Sequence, residues 1–182
     1  MSTFIALLRG INVGGRNKIP MQGLRALCGS LGWAGVQSYI QSGNVIFRAG
    51  AVASALEDEL ERTIERELGL SIPVLVRAAA DWPVYVQGNP FPDVSMTEPN
   101  RVMLVLSKRP PRHTAVDELR EHAEDGEQIA RVGDALWFYY ARGAGKSKLS
   151  PALLDRLVGS SVTARNWRTV LKLQELAHGP AQ

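Results

Sequence analysis

Short apolar runs alternate with four-spaced apolar stripes along the first half of this chain. Thr3–Arg9 is almost unbroken in apolar residues and stops at Gly10, the pattern of a buried strand. Leu24, Leu27, Cys28 and Leu31 then recur at helical spacing. Pro20 stands where a first helical turn accepts proline, and Gly32 closes the helix. Val36–Gln41 and Asn44–Arg48 read as strands, with Ser42-Gly43 as a two-residue hairpin turn between them. Val52, Leu56, Leu60, Ile64 and Leu68 form one stripe, so Val52–Leu68 is expected as a long amphipathic helix ended by Gly69. Glu57, Asp58, Glu61, Arg62, Glu65 and Arg66 fall on its outer side and read as a solvated charged face. Ile72–Arg77 is a fourth strand.

The order β-α-β-β-α-β is the ferredoxin-like signature. It makes the first two strands parallel, so their C-terminal ends share one end of the sheet. The glycine-rich loop after Arg9 should therefore neighbour the Gln41–Asn44 turn, although about 30 residues separate them in sequence.

The second half is less regular at first. A short helix interrupted by Pro83 is expected near 78–86, and Asn89-Pro90-Phe91-Pro92 cannot continue it. Arg101–Ser107 is a strand. Thr114–Glu124 reads as a helix with Thr114 as its cap. Glu127–Val132 and Ala135–Ala141 form a hairpin about Gly133-Asp134. Ser150-Pro151 opens a helix through Val158, and Thr163 is expected to cap a last helix over Ala164–Ala177. No internal repeat is visible. The expected fold class is α+β, a ferredoxin-like βαββαβ subdomain (residues 1–78) packed against a second, smaller α+β subdomain (residues 79–182). The last helix is free to pack back on the first subdomain.

Composition narrows the class. The chain has 182 residues, 45% of them hydrophobic and 21% charged, which is ordinary for a globular protein. One cysteine, Cys28, excludes an internal disulfide and a cysteine metal cluster, and its place on an apolar stripe marks it as a small core residue. No apolar run reaches membrane-spanning length and no secretory signal is visible, so the expectation is a cytoplasmic protein. The net charge of +3 is unevenly spread. Residues 1–56 hold five basic residues and no acid; residues 57–140 hold nine basic and sixteen acidic; residues 141–182 hold seven basic and two acidic. Basic ends around an acidic middle fit either an anionic partner or the ends packing on the middle.

Two glycine-containing basic loops carry the candidate chemistry. Gly14 and Gly15, with Arg16 and Lys18, precede a helix, a setting in which backbone N–H groups and cations can cradle an anion. Gly10, Gly14 and Gly15 do not form the dinucleotide fingerprint, and the alternative is glycine required by backbone geometry. Gly143-Ala144-Gly145-Lys146-Ser147 resembles a phosphate loop, but Tyr140 stands where that motif needs its first glycine, so an ATPase of that type is rejected. Trp137-Phe138-Tyr139-Tyr140 fits alternate burial in a strand better than base stacking. His113, His122 and His178 lie away from both loops, so no zinc site and no serine or cysteine nucleophile with a histidine base is expected there.

Leu8–Met21, Tyr39–Val45, Asn89-Pro90-Phe91, Ser147-Lys148-Leu149 and Thr163–Trp167 with Thr169-Val170 and Lys172-Leu173 follow one another as in a known family. On these motifs the chain resembles the bacterial family called domain of unknown function 1697. The resemblance implies two α+β subdomains, the first ferredoxin-like, and no established activity, substrate or cofactor. Gly143-Ala144-Gly145-Lys146 stands where the family carries a related glycine-basic stretch.

The motifs coincide with the basic loops. Arg9, Asn12, Gly14, Gly15, Arg16, Lys18, Gln41, Asn44, Lys146, Lys148, Arg165 and Asn166 are donors, or glycines that expose N–H groups, beyond what core packing needs. The expected function is binding of an anionic, phosphate-bearing ligand, a nucleotide or nucleic acid, in a basic cleft between the subdomains. One alternative is an enzyme acting on a phosphorylated small molecule; another is a structural role in which the motifs only join the subdomains. The sequence specifies no cofactor, reaction or oligomeric state.

Overall fold

A computed structural model describes residues 1–178 of the chain. Met1–Pro83, together with residues 173–178, forms one compact unit, and Val84–Lys172 forms a second.

The first unit contains β1 (Ser2–Leu8), α1 (Met21–Ser30), β2 (Ala34–Tyr39), β3 (Asn44–Ala49), α2 (Ala53–Leu68) and β4 (Val74–Ala78). Its sheet has the order β2-β3-β1-β4 with every neighbouring pair antiparallel. Since β1 and β2 both oppose β3, they run the same way, as the ferredoxin-like reading requires. Phe4, Ala6 and Leu8 of β1, Val45 and Phe47 of β3 and Val74 and Val76 of β4 pack with Leu24 and Cys28 of α1 and Leu56, Leu60 and Ile64 of α2. Trp33 stacks on Phe47 at 3.8 Å between ring centroids. Ile5, Leu7 and Leu75 point to the other face and are also buried. Burial on both faces explains why β1 reads as a continuous apolar run and not as an alternation. Cys28 lies in this core, and burial pushes its thiol up to about 12, which leaves it inert at neutral pH.

Two expectations for this unit need correction. The β2–β3 connection is a four-residue turn, with Tyr39 and Asn44 as its closing pair. Ile40 (φ 49) and Gly43 (φ 79) both take the left-handed conformation. Gly43 is required for a close approach: a Cβ there would lie 2.8 Å from Leu8 Cβ and from Ile11 Cδ1. The acidic side of α2 is also not simply solvated. β4 is an edge strand, and its outward N–H groups are capped from α2: Val76 N donates to Glu57 Oε1 at 2.8 Å and Val74 N to Glu61 Oε1 at 2.7 Å. Residues four apart on a helix rise about 6 Å and residues two apart on a strand about 6.7 Å, so the two spacings match. Glu57 is buried and also accepts from Arg77 Nη1 at 3.3 Å. An edge whose donors are occupied in this way cannot template another strand.

The second unit contains α4 (Pro92–Thr97), β5 (Val102–Ser107), α5 (Ala115–Glu121), β6 (Glu127–Val132), β7 (Ala135–Tyr140), α6 (Pro151–Val158) and β8 (Val162–Asn166). α3 (Trp82–Gln87) begins before it and α7 (Trp167–His178) runs beyond it. The sheet order is β6-β7-β5-β8, again antiparallel throughout. From β5 to β8 this is the same β-α-β-β-α-β succession with the same strand order as the first unit. The chain thus uses one topology twice.

β8 replaces the N-terminal turn expected for the last helix. Its residues pair with β5 from Met103↔Asn166 to Ser107↔Val162, and the helix starts only at Trp167. The apolar positions Trp167, Val170, Leu171 and Leu173 all lie beyond 162–166, and β-branched Val162 and Thr163 suit a strand. Asn166 Oδ1 accepts from Thr169 N at 3.0 Å, so Asn166 and not Thr163 caps α7. α4, with Pro92 in its first turn, was not expected either. Trp137, Phe138 and Tyr140 are buried, and the Tyr139 hydroxyl donates to Glu98 Oε2 at 2.8 Å. Among the described residues, no helix is long and apolar enough to cross a membrane.

Candidate functional site

The loop between β1 and α1 is a miniature hairpin. Arg16 N donates to Val13 O at 3.0 Å and Asn12 N to Asn17 O at 3.1 Å. Gly14 (φ 58) and Gly15 (φ 76) occupy the two turn positions between Val13 and Arg16. Positive φ at both central positions is the requirement of a primed hairpin turn, and glycine meets it without strain. Asn12 (φ 55) and Asn17 (φ 47) also adopt the left-handed conformation that asparagine tolerates.

Asn12 pins this hairpin. Its Oδ1 accepts from Ile19 N at 2.9 Å, and its Nδ2 donates to Ile19 O at 2.9 Å and to Gln41 O at 2.8 Å. The last bond ties the loop to the β2–β3 turn across 29 residues, the neighbourhood that the parallel run of β1 and β2 implies. Leu8 N to Gly43 O, 2.8 Å, adds a second tie, and Asn17 Nδ2 donates to Gly10 O at 3.1 Å. Ile11 and Ile19, both buried, anchor the loop in the core of the unit.

A cleft of about 340 Å³ opens where these elements meet, lined by Asn12, Gly15, Lys18, Pro20 and Gln41. No carboxylate or histidine is among these lining residues. Pro20 forms the N-cap of α1 with no side-chain cap, and the N–H groups of Met21 and Gln22 meet no acceptor among the described residues. Arg16 and Lys18 are exposed, and neither side chain makes an ion pair or hydrogen bond among the described residues. The N–H groups of Gly14 and Gly15 also donate to nothing there. The first acid in the sequence is Glu57, so charge near the cleft is of one sign in the local chain.

The remaining residues expected at a site fall elsewhere. Asn44 is wholly buried, and its Nδ2 donates to Tyr39 O and to Ser42 Oγ, both at 3.0 Å. Arg9 is half-buried at the end of β1, its N–H donating to Pro73 O at 3.0 Å. Lys146, Lys148, Arg165 and Asn166 belong to the second unit. Arg165 is buried on β8 and donates to Thr163 Oγ1 and Ala164 O, each at 2.8 Å; burial pushes its guanidinium down to about 10. Lys146 is exposed in a short turn over Ala144–Lys146.

The basic loop of the second unit lies against acids. Lys148 pairs with Glu124, Arg142 with Asp125 at 3.4 Å, and the Ser147 hydroxyl donates to Glu127. The ion pairs are exposed and contribute little individually. Burial by itself pushes the Glu127 carboxyl up. Ser147, the N–H groups of Glu127 and Asp125 and the Arg142 guanidinium nevertheless hold it below the usual glutamate value. A depressed carboxyl stabilises the fold above its unfolded value of about 4.3, and that contribution is lost as pH falls through the lower, folded value. Limited proteolysis of residues 142–148 should therefore be slow at neutral pH and accelerate below about pH 4. A cleavage rate unaffected by acid would contradict this attachment.

Sequence reasoning missed Pro20 as a wall of the cleft, having read it only as a helix starter. It also gave no role to Val13 and Ile40, apolar residues exposed at 64% and 49% on the two flanking turns. Among the described residues, no group of three His, Cys, Asp or Glu side chains is placed to hold a metal ion.

Comparison with known proteins adds fold and family. The conserved bacterial protein SP0830 from Streptococcus pneumoniae has a similar structure, with a TM-score of 0.73 over 97% of this chain and 98% of that one, at 23% identity. At that identity the likeness speaks for the fold alone. No curated protein matches the chain. The model of a family described as a protein of unknown function, DUF1697, matches residues 1–137, a span that includes the 9–18 hairpin and the 40–43 turn. The chain belongs to the DUF1697 family.

Proposed function

We propose that the chain binds a phosphate-bearing ligand in the cleft of its first unit. The observation that carries this reading is the pairing of that cleft with two exposed cations, Arg16 and Lys18, that meet no acid among the described residues, in a segment of 56 residues free of acids. A cation already neutralised within the fold has little to offer an anion. Arg142 and Lys148 are in that position; Arg16 and Lys18 are not. The N-terminus of α1, with N–H groups open at Met21 and Gln22, adds a field of the same sign.

Binding is a better reading than catalysis. The lining of the cleft supplies no acid or histidine to move a proton, so a reaction there would have to rely on electrostatic stabilisation and groups of the substrate.

Native mass spectrometry of protein purified from cells tests the proposal, together with the double variant Arg16→Glu, Lys18→Glu. The wild type should retain an anionic ligand, or take up inorganic phosphate on titration. The variant should bind at least about tenfold more weakly, the effect of losing one or two charge-assisted hydrogen bonds. Both residues are exposed on a hairpin whose own bonds they do not make with their side chains, so the thermal midpoint should hold. Equal binding by the variant would refute the assignment.

A further inference from the structure

Four side-chain amides stand on the two turns of the first unit, and three of them are occupied by the scaffold, Asn17 through its bond to Gly10 O. Asn12 has three hydrogen bonds to backbone groups of Ile19 and Gln41. Asn44 is buried and bonded to Tyr39 and Ser42. Gln41 differs from all three. It lines the cleft, it is exposed, and its side chain makes no hydrogen bond among the described residues. Only its carbonyl is used, by Asn12, and that bond fixes where the residue sits. Turn geometry reinforces the placement. Ile40, immediately before it, holds φ 49, a conformation a β-branched residue rarely adopts, between ties at Tyr39 O and Gln41 O.

We infer that Gln41 is the specificity-determining residue of this cleft, and that the occupant is a small phosphorylated molecule whose body presents an adjacent donor and acceptor, such as the edge of a nucleobase. This rests on the phosphate-binding reading above. A primary amide offers one acceptor and two donors in one plane, the complement of such an edge. The volume of about 340 Å³ lies within the range of small-molecule sites. A single-stranded nucleic acid would need a row of exposed aromatic rings and a longer basic track. The aromatic residues of this unit's sheet do not form one: Phe4 and Phe47 are buried, Phe47 is already stacked against Trp33, and Tyr39 of β2, half-buried, stands alone.

Calorimetric titration of the wild type, Gln41→Ala and Lys18→Glu with inorganic phosphate, ribose 5-phosphate and the four ribonucleoside 5′-monophosphates tests the inference. At least one monophosphate should bind the wild type about tenfold more tightly than ribose 5-phosphate, the cost of leaving a reading group unpaired. Gln41→Ala should bring that ratio near one while weakening inorganic phosphate far less than the preferred monophosphate. Its thermal midpoint should stay in place, because the side chain it removes makes no hydrogen bond among the described residues. A ratio that survives Gln41→Ala, or a wild type that binds phosphate without discriminating, overturns the role of Gln41 while leaving phosphate binding intact. Oligonucleotides that bind more tightly than every monophosphate, with a steep salt dependence, overturn the small-molecule assignment. A wild type that takes up none of these probes, or a Lys18→Glu variant that binds them all unchanged, overturns the phosphate-binding reading itself.

Discussion

Gly43→Ala should destabilise the first unit by about 3 kcal/mol, a sum of left-handed strain and overpacking. Gly43 has φ 79, and a residue with a Cβ loses about 1–2 kcal/mol by adopting the left-handed region. The added carbon would also sit 2.8 Å from Leu8 Cβ and from Ile11 Cδ1. Leu8 is fully buried at the end of the central strand β1, and its Cβ cannot swing aside as the end of a flexible side chain would. Forcing such contacts apart costs a further 1–3 kcal/mol or so. Gly15→Ala is the matching control. Its φ is similar, 76, but the space where its Cβ would stand is open, so only the conformational cost of about 1 kcal/mol applies. Urea denaturation of both variants separates the two effects. Equal losses would show that the close approach at Gly43 contributes nothing.

Glu57→Ala should cost about 3 kcal/mol as well, for a different reason. The carboxylate accepts from Val76 N and from Arg77 while buried between α2 and the edge of β4. Hydrogen bonds to a buried charge are worth about 1.5–3 kcal/mol, and removing one side of a buried pair leaves the other poorly compensated. Glu57→Gln keeps an acceptor and should cost less than half as much. The alanine variant should also associate more readily on light scattering, because it exposes a donor of an edge strand. If Glu57→Ala matched the wild type in both stability and association, the carboxylate would have no guarding role.

How much of this was legible in the sequence depends on range. β1, α2 and the first unit's topology followed from periodicity, because each segment carries one clear rhythm. The neighbourhood of the glycine-rich loop and the β2–β3 turn also followed, since topology alone brings those chain segments to one end of the sheet. The four-residue turn did not. Ser42-Gly43 is a good local hairpin signal, but Gly43 answers to Leu8 and Ile11, which are distant in sequence. β8 was missed because a strand of five residues abuts a helix of twelve with a stronger stripe, and its pairing with β5 is invisible locally. Without β8 the second unit's duplication of the first could not be seen.

The candidate site was legible in kind more than in membership. A basic glycine-rich loop pointed to the turn of chain beside which the proposed cleft opens. Residue type alone could not separate Gln41, whose amide is open, from Asn12 and Asn44, whose amides hold backbone together. Nor could it show that Lys148 and Arg142 are paired with acids from the 124–127 turn while Arg16 and Lys18 are not. Those distinctions depend on which donors already have acceptors, a property of the folded chain.

The most direct test of the central claim is an amide NMR titration of the isotopically labelled protein with inorganic phosphate at low salt. Binding in the cleft predicts saturable shifts at Gly14, Gly15, Lys18, Met21 and Gln22 and at the Ile40–Gly43 turn, with residues 142–148 unmoved. No saturable shift at the first group, or shifts confined to 142–148, would contradict it.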